Sequence, residues 1–206
     1  MDDQGPRTGD GIDEGAPALD PLLAATLDVS GELGYRRTSA EAIAARAGSP
    51  AAYLYSHYSG REDCFAAAYE ARAEPLADRL LEVGREAADP VGCLDAALRE
   101  LFGFAVAEPG HARAILVEVY VAGGAAQARH EQILRRLSDA VSGTRRESPS
   151  SRHDPPPVTA AFIVGGIEEV VRRRVGERRA ELLWDELPVL VAFATARLQG
   201  QGPTSG

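Results

Sequence analysis

The chain has 206 residues, 45% hydrophobic and 26% charged, an ordinary composition for a folded protein long enough to bury a core. Its net charge of −9 argues against a general nucleic-acid coat protein but leaves a locally basic surface possible in principle. No apolar run approaches the ~18–20 residues of a membrane span, the acidic start is unlike a signal peptide, and two cysteines, Cys64 and Cys93, are too few for a disulfide framework or a zinc site.

Ala, Leu, Arg and Glu recur while β-branched and aromatic runs are scarce, which favours an all-α fold. Residues 1–18, acidic and Gly/Pro-containing, read as a disordered tail. Asp20-Pro21 is an N-cap followed by a first-turn proline, and Leu22, Leu23, Thr26, Leu27, Ser30 and Leu33 follow helical spacing up to Gly34. Thr38-Ser39-Ala40-Glu41 reads as a capping box, with Thr38 as the cap of a second helix through Ile43 to Ala47. Gly48 permits a left-handed turn, and Ser49-Pro50 reads as the cap and first-turn proline of a third helix to about His57. Ser59-Gly60-Arg61-Glu62 is a second capping box, opening a fourth helix with Phe65, Ala68 and Tyr69.

Further helical stripes follow. Leu76, Leu80 and Val83 form one; Asp89-Pro90 starts another with Leu94, Leu98, Leu101, Phe102 and Ala105. Pro109 restarts the chain into Ile115, Leu116, Val119 and Tyr120, and Gly123-Gly124 breaks it. Ala128, Leu134, Leu137 and Val141 make the next stripe; residues 142–157 read as a Ser/Pro-rich loop; two more helices are expected over 157–175 and 187–199, the latter opening at Leu187-Pro188. Residues after Gly200 read as a second disordered tail.

Two short helices around a Gly-containing turn make a helix-turn-helix over about 38–58, a geometry that lays its second helix in the DNA major groove. The pattern alone is weak, because many helical bundles contain such corners. Arg61 adds to it: in the first turn of a helix, the macrodipole disfavours a cation unless a phosphate is nearby. Pairing of Arg61 with a neighbouring acid stays open, as does plain solvation of Arg36 and Arg37.

The run from Gly34 to Gly48, continued by Tyr53-Leu54-Tyr55-Ser56-His57-Tyr58 and Arg61-Glu62-Asp63, resembles the signature of the TetR (tetracycline-repressor-like) family over about 45 residues. The resemblance implies a three-helix DNA-binding domain over 19–65 and a helical effector-binding and dimerisation domain over 66–200. It implies backbone contact by Thr38, base reading by Ala51, Ala52 and Tyr53, and phosphate contact by Tyr55, His57 and Arg61; Arg36, Arg37 and Ser49 complete the expected DNA surface. Leu54 and Tyr58 are expected to be core residues. The chain departs from the family pattern at Pro50-Ala51-Ala52, where polar or basic residues are common, so base reading by apolar contact and DNA shape is expected.

For the second domain, Ala161, Phe162, Gly165, Gly166, Ile167, Val170 and Val171 spread small and apolar residues over more than one side of their helix. With the last helix, this points to a homodimer through an intermolecular four-helix bundle. The resemblance also implies a small-molecule effector. Phe102, Tyr120, Phe162 and Trp184 are its candidate walls, with His111 and Glu118 as polar contacts, although aromatics at helical spacing more often serve as core. The expected partners are therefore double-stranded operator DNA, a second copy and an organic effector, with no membrane, in the cytoplasm and at the nucleoid when DNA is bound. No catalytic set, cofactor motif or metal cluster is legible, the four histidines being scattered in sequence. The competing class is a helical dimer whose helix-turn-helix binds protein.

Overall fold

A computed structural model describes residues 20–143, apart from Ala88, and 157–198; every regular element among the described residues is helical. The tails expected over 1–18 and after Gly200, and residues 144–156 of the expected loop, lie outside them.

Helix α1 (Pro21–Leu33) starts as its sequence dictates, with Asp20 Oδ1 accepting the Leu22 N–H at 2.8 Å. Gly34, at φ 85°, ends it. The next three starts each differ from the expectation by a residue. A 3₁₀ turn (Tyr35–Arg37) carries Thr38 beneath α1, where it is buried and its hydroxyl donates to Gly34 O at 3.1 Å. The cap of α2 (Ala40–Arg46) is therefore Ser39, whose Oγ accepts the Ala42 N–H at 3.2 Å. Before α3 (Ala51–His57) the cap position belongs to Pro50; the Ser49 hydroxyl is buried without a partner, while its N–H donates to Ala44 O at 2.9 Å. At α4 (Arg61–Glu86) it is Asp63, not Glu62, that reaches back to the Ser59 N–H, at 3.1 Å. At the first two starts the tight corner before the helix turns the flanking hydroxyl inward, a tertiary constraint that local cap preference does not contain.

Helix α4 carries Leu76 and Leu80 as well as Phe65 and Tyr69, and runs on through the exposed Pro75. Helix α5 (Pro90–Ala107) is capped by Asp89 as expected. Helix α6 (Pro109–Arg113), a π-helical turn (Ala114–Glu118) and α7 (Val119–Ala122) form one rod that ends at Gly123 and Gly124, both left-handed. Helix α8 (Gly124–Gly143) buries Ala126, His130 and Ile133, whereas the expected Ala128 is exposed. A histidine can take that place because its polar atoms are satisfied there. Helix α9 (Pro157–Gly176) matches its expected span, but α10 (Leu183–Leu198) starts four residues early, after a 3₁₀ turn (Ala180–Leu182); Pro188 lies inside it on the exposed side.

Two cores result. Leu22, Ala25, Ala40, Ile43, Leu54 and Cys64 hold α1–α3 against the start of α4. A larger core includes Leu27, Phe65, Tyr69, Phe102, Ile115, Val119, Val171 and Leu183, and α4 passes through both.

Within the larger core lies a polar cluster. Tyr69 OH meets His130 Nδ1 at 2.8 Å, and His130 Nε2 donates to Glu168 Oε1 at 2.9 Å; Tyr120 OH donates to the same oxygen. Burial pushes the Glu168 carboxyl up, but hydrogen bonds from His130 and Tyr120 and the charges of His130 and Arg172 outweigh it and hold it below the ordinary carboxylate range. A depressed folded-state value contributes stability above the ordinary range, lost as pH falls through the depressed one, so the window lies below about pH 5. Glu168→Gln is expected to lower stability at pH 7 and to flatten the fall between about pH 5 and 3. Urea unfolding across that range checks this, and an acid limb of unchanged slope would contradict it.

Candidate nucleic-acid interface

Helix α3 is short and two-faced. Leu54 is fully buried and locks the helix onto α1 and α2. The opposite face presents Ala52, Tyr53, Tyr55, Ser56 and His57 to solvent, with Tyr53 46% and Tyr55 55% exposed. Aromatic residues left this open on a helix held so rigidly form a prepared surface. The His57 ring lies 4.4 Å from that of Tyr53, and its Nδ1 is within hydrogen-bond distance of Ser56 Oγ and Tyr53 O. Ala51 is half-buried and Tyr58 packs on the small core as expected.

The neighbouring turns and helices carry arginines. Arg36 and Arg37 are exposed on the 3₁₀ turn, and Arg37 Nε donates to Leu33 O at 2.8 Å. Arg46 bridges Asp28 and Glu32 of α1. Among the described residues no acid pairs with Arg61. Its Nη1 donates to Thr38 O at 2.7 Å and Tyr35 O at 3.4 Å, and its guanidinium stacks on the Tyr35 ring, 4.8 Å from the centroid. Arg61 thereby ties the start of α4 to the turn that launches α2. With the Thr38 hydroxyl committed internally, the capping hydroxyl at this corner is that of the half-buried Ser39, where the sequence pattern placed it on Thr38.

The residues expected to line an effector pocket do not converge. Phe102 is buried and meets the Trp184 ring edge-to-face at 5.8 Å, so these two remain together. Tyr120 belongs to the His130–Glu168 cluster, and Phe162 is 74% exposed on the outside of α9. His111 lies between Asp28 and Glu108, and Glu118 accepts the Tyr35 N–H, so both stand where α1 meets the α6–α7 rod. Periodicity places a residue on a helix but not on the side facing a given neighbour, which is why these four and the two polar residues scatter. Two surface depressions lie elsewhere: one between α5 and α10 involves Asp95, Arg99 and Pro188, another between α8 and α9 involves Leu134, Ser138 and Gly165. Among the described residues no group of three or more His, Cys, Asp or Glu could hold a metal ion, and no helix is long and apolar enough to cross a membrane.

Residues 22–68, spanning α1–α3 and the start of α4, match the family model described as "Bacterial regulatory proteins, tetR family". HTH-type transcriptional regulators of Mycobacterium tuberculosis and Mycobacterium bovis are each 30% identical to the chain over 184 residues, 86% of this chain and 92% of theirs. Among solved structures, the fold is similar to the fatty acid degradation regulator FadR of Bacillus halodurans, with TM-score 0.71, 18% identity and coverage of 84% of this chain and 93% of that one. FadR of Bacillus subtilis, solved with stearoyl-CoA, gives 0.70 at 19% identity, covering 84% and 97%. SmeT, the repressor of the Stenotrophomonas maltophilia multidrug efflux pump SmeDEF, gives 0.69 at 20% identity, covering 85% and 87%. The exposed, braced α3, the match over the helices that carry it and the full-length mycobacterial relatives together show that the chain belongs to the TetR family of DNA-binding transcriptional regulators.

Proposed function

We propose that the protein is a homodimeric repressor that binds a palindromic operator and is released from it by a small organic effector. The observation that carries the DNA reading is the face of α3: two open tyrosines and His57 on a helix pinned by Leu54. In this reading residues 19–65 form the head and 66–200 the body. Ala51, Ala52 and Tyr53 meet base edges; Tyr55 and His57 meet phosphate together with Arg36, Arg37 and the N–H groups of Arg61 not engaged by Thr38 and Tyr35; Ser39, Thr38 and Ser49 border the contact through the backbone. Alanines touch thymine methyls without hydrogen bonds, so shape carries much of the selectivity.

Dimerisation through α9 and α10 sets the two heads about one DNA turn (~34–36 Å) apart. An amphipathic effector is supported by the B. subtilis FadR complex with stearoyl-CoA, and Phe102 with Trp184 is the aromatic pair best placed to meet it. The protein then works in the cytoplasm, at the nucleoid when bound.

The test is selection of bound sequences from a random DNA pool, followed by salt titration of the recovered site. Two heads each neutralising three phosphates through Arg36, Arg37 and Arg61 give a log–log salt slope of about −5. Removing Arg36 and Arg37 as alanines brings it to about −2. Binding insensitive to salt, or no enriched site, would instead favour a protein partner for this helix-turn-helix.

A further inference from the structure

The 3₁₀ turn Tyr35–Arg37 joins α1 to α2 and so sets the attitude of the helix-turn-helix. Its first N–H is an orphan donor, as at any helix start, and the cap position before it is Gly34, which has no side chain to offer. The donor is met from the body instead, by Glu118 Oε2 at 2.8 Å, across 83 residues of sequence. The other oxygen of the same carboxylate accepts from Arg113 Nη2 at 2.8 Å, and Arg113 Nη1 donates to Gly176 O, at the end of α9, at 2.9 Å. Glu118 is 5% exposed and closes the π-helical turn in the α6–α7 rod. Such turns interrupt the regular helix ladder and are frequent where a helix has a task beyond packing.

One buried carboxylate therefore touches three parts at once: the head's first turn, the rod of the body, and through Arg113 the end of α9. Arg178, just past α9, donates to Glu32 O at 3.0 Å beside it. From the opposite side Arg61 holds the carbonyls of the same turn.

We infer that Glu118 is a positioning residue for DNA binding, a latch that fixes the head's orientation to α9 and so sets the spacing between the two heads of the dimer. The inference rests on the dimeric-regulator reading above. It requires both carboxylate oxygens: Tyr35 N–H and Arg113 Nη2 approach different oxygens, and a glutamine places an NH2 donor where one of them stood, so one of the two donors is left facing a donor.

Glu118→Gln keeps the volume of the side chain and cuts one link. Binding is measured on an isolated half-site and on palindromes whose half-sites are moved by one or two base pairs from the selected spacing. Wild type is expected to prefer its own spacing by a coupling of ordinary size, within about 5–150-fold. E118Q is expected to bind the half-site within about two-fold of wild type while its spacing preference falls below about two-fold. E118Q with the wild-type preference, or a wild type indifferent to spacing, overturns the latch; so does equal weakening on half-site and palindrome, the mark of a merely structural role. Hydrogen exchange of the Tyr35 amide without DNA separates the two claims. Exchange at least about ten-fold faster in Glu118→Ala, which leaves no side-chain acceptor at all, supports the link even if wild type binds no DNA, which would sink the regulator reading alone. An unchanged amide overturns the link.

Discussion

Glutamate at both Phe162 and Phe193 is expected to turn the protein into a monomer that keeps its helices and loses the palindrome. On the isolated chain Phe162 is 74% exposed, Phe193 55%, Val158 55% and Val189 65%. Large apolar side chains this exposed on two consecutive helices fit a contact surface for a second copy. On α9 a Cβ at Gly165 or Gly166 would meet nothing within 4 Å among the described residues, so their smallness leaves room for another backbone to come close. Burying each phenylalanine contributes about 1.5–3 kcal/mol, so the four in a two-fold dimer supply roughly 6–12 kcal/mol as an upper bound. Removing that and adding buried charge raises the dimer dissociation constant by more than about a thousand-fold. Sedimentation at micromolar concentration, circular dichroism and binding to the selected palindrome read the three consequences. A double variant that still sediments as a dimer would remove α9 and α10 from the interface.

The second large effect is expected at Gly31. A Cβ there would stand 2.0 Å from Gly110 O and 2.7 Å from Gly110 C, both backbone atoms at the start of the α6–α7 rod. Neither can swing aside, so α1 and the rod must separate, against Leu27, Ala112 and Ile115 packed in the same core. Overpacking of this sort costs about 1–3 kcal/mol or more. For a chain of this length that is a fall in melting temperature of about 2–4 °C per kcal/mol. Gly31→Ala should also weaken operator binding beyond its effect on folding, since the contact it breaks seats the head on the body close to Glu118. Thermal unfolding with binding at a temperature where the variant is fully folded tests both parts. A variant as stable as wild type would show that the approach of α1 to Gly110 is not close in solution.

Both variants act where helices meet, and that is where reading from the residues alone ran out. The caps show the limit on a small scale. Asp20 and Asp89 cap their helices as their sequence positions require, because each acts on N–H groups two or three residues away. Thr38 and Ser49 also look like caps, yet the corners before α2 and α3 turn Thr38 into the core and leave the Ser49 hydroxyl buried. The pocket residues show it on a larger scale. Phe102, Tyr120, Phe162 and Trp184 have the same character in the sequence, but one is core, one serves a polar cluster, one faces outward and one lies at the edge of Phe102.

What the sequence by itself determined is what neighbouring residues decide between them: an all-helical chain, the breaks at Gly34 and Gly123-Gly124, a helix-turn-helix with Leu54 inward, and family membership through an unbroken local signature. Only the tertiary structure decided that Arg61 clamps carbonyls instead of an acid, that His130 is core, and that Glu118 reaches Tyr35. The physical reason is range. Caps, turns and periodicity act over three or four residues, whereas a buried carboxylate serving an N–H 83 positions away depends on how whole helices stack, which no local pattern encodes. The helix-turn-helix was therefore legible at once, and the means by which the body holds it was not.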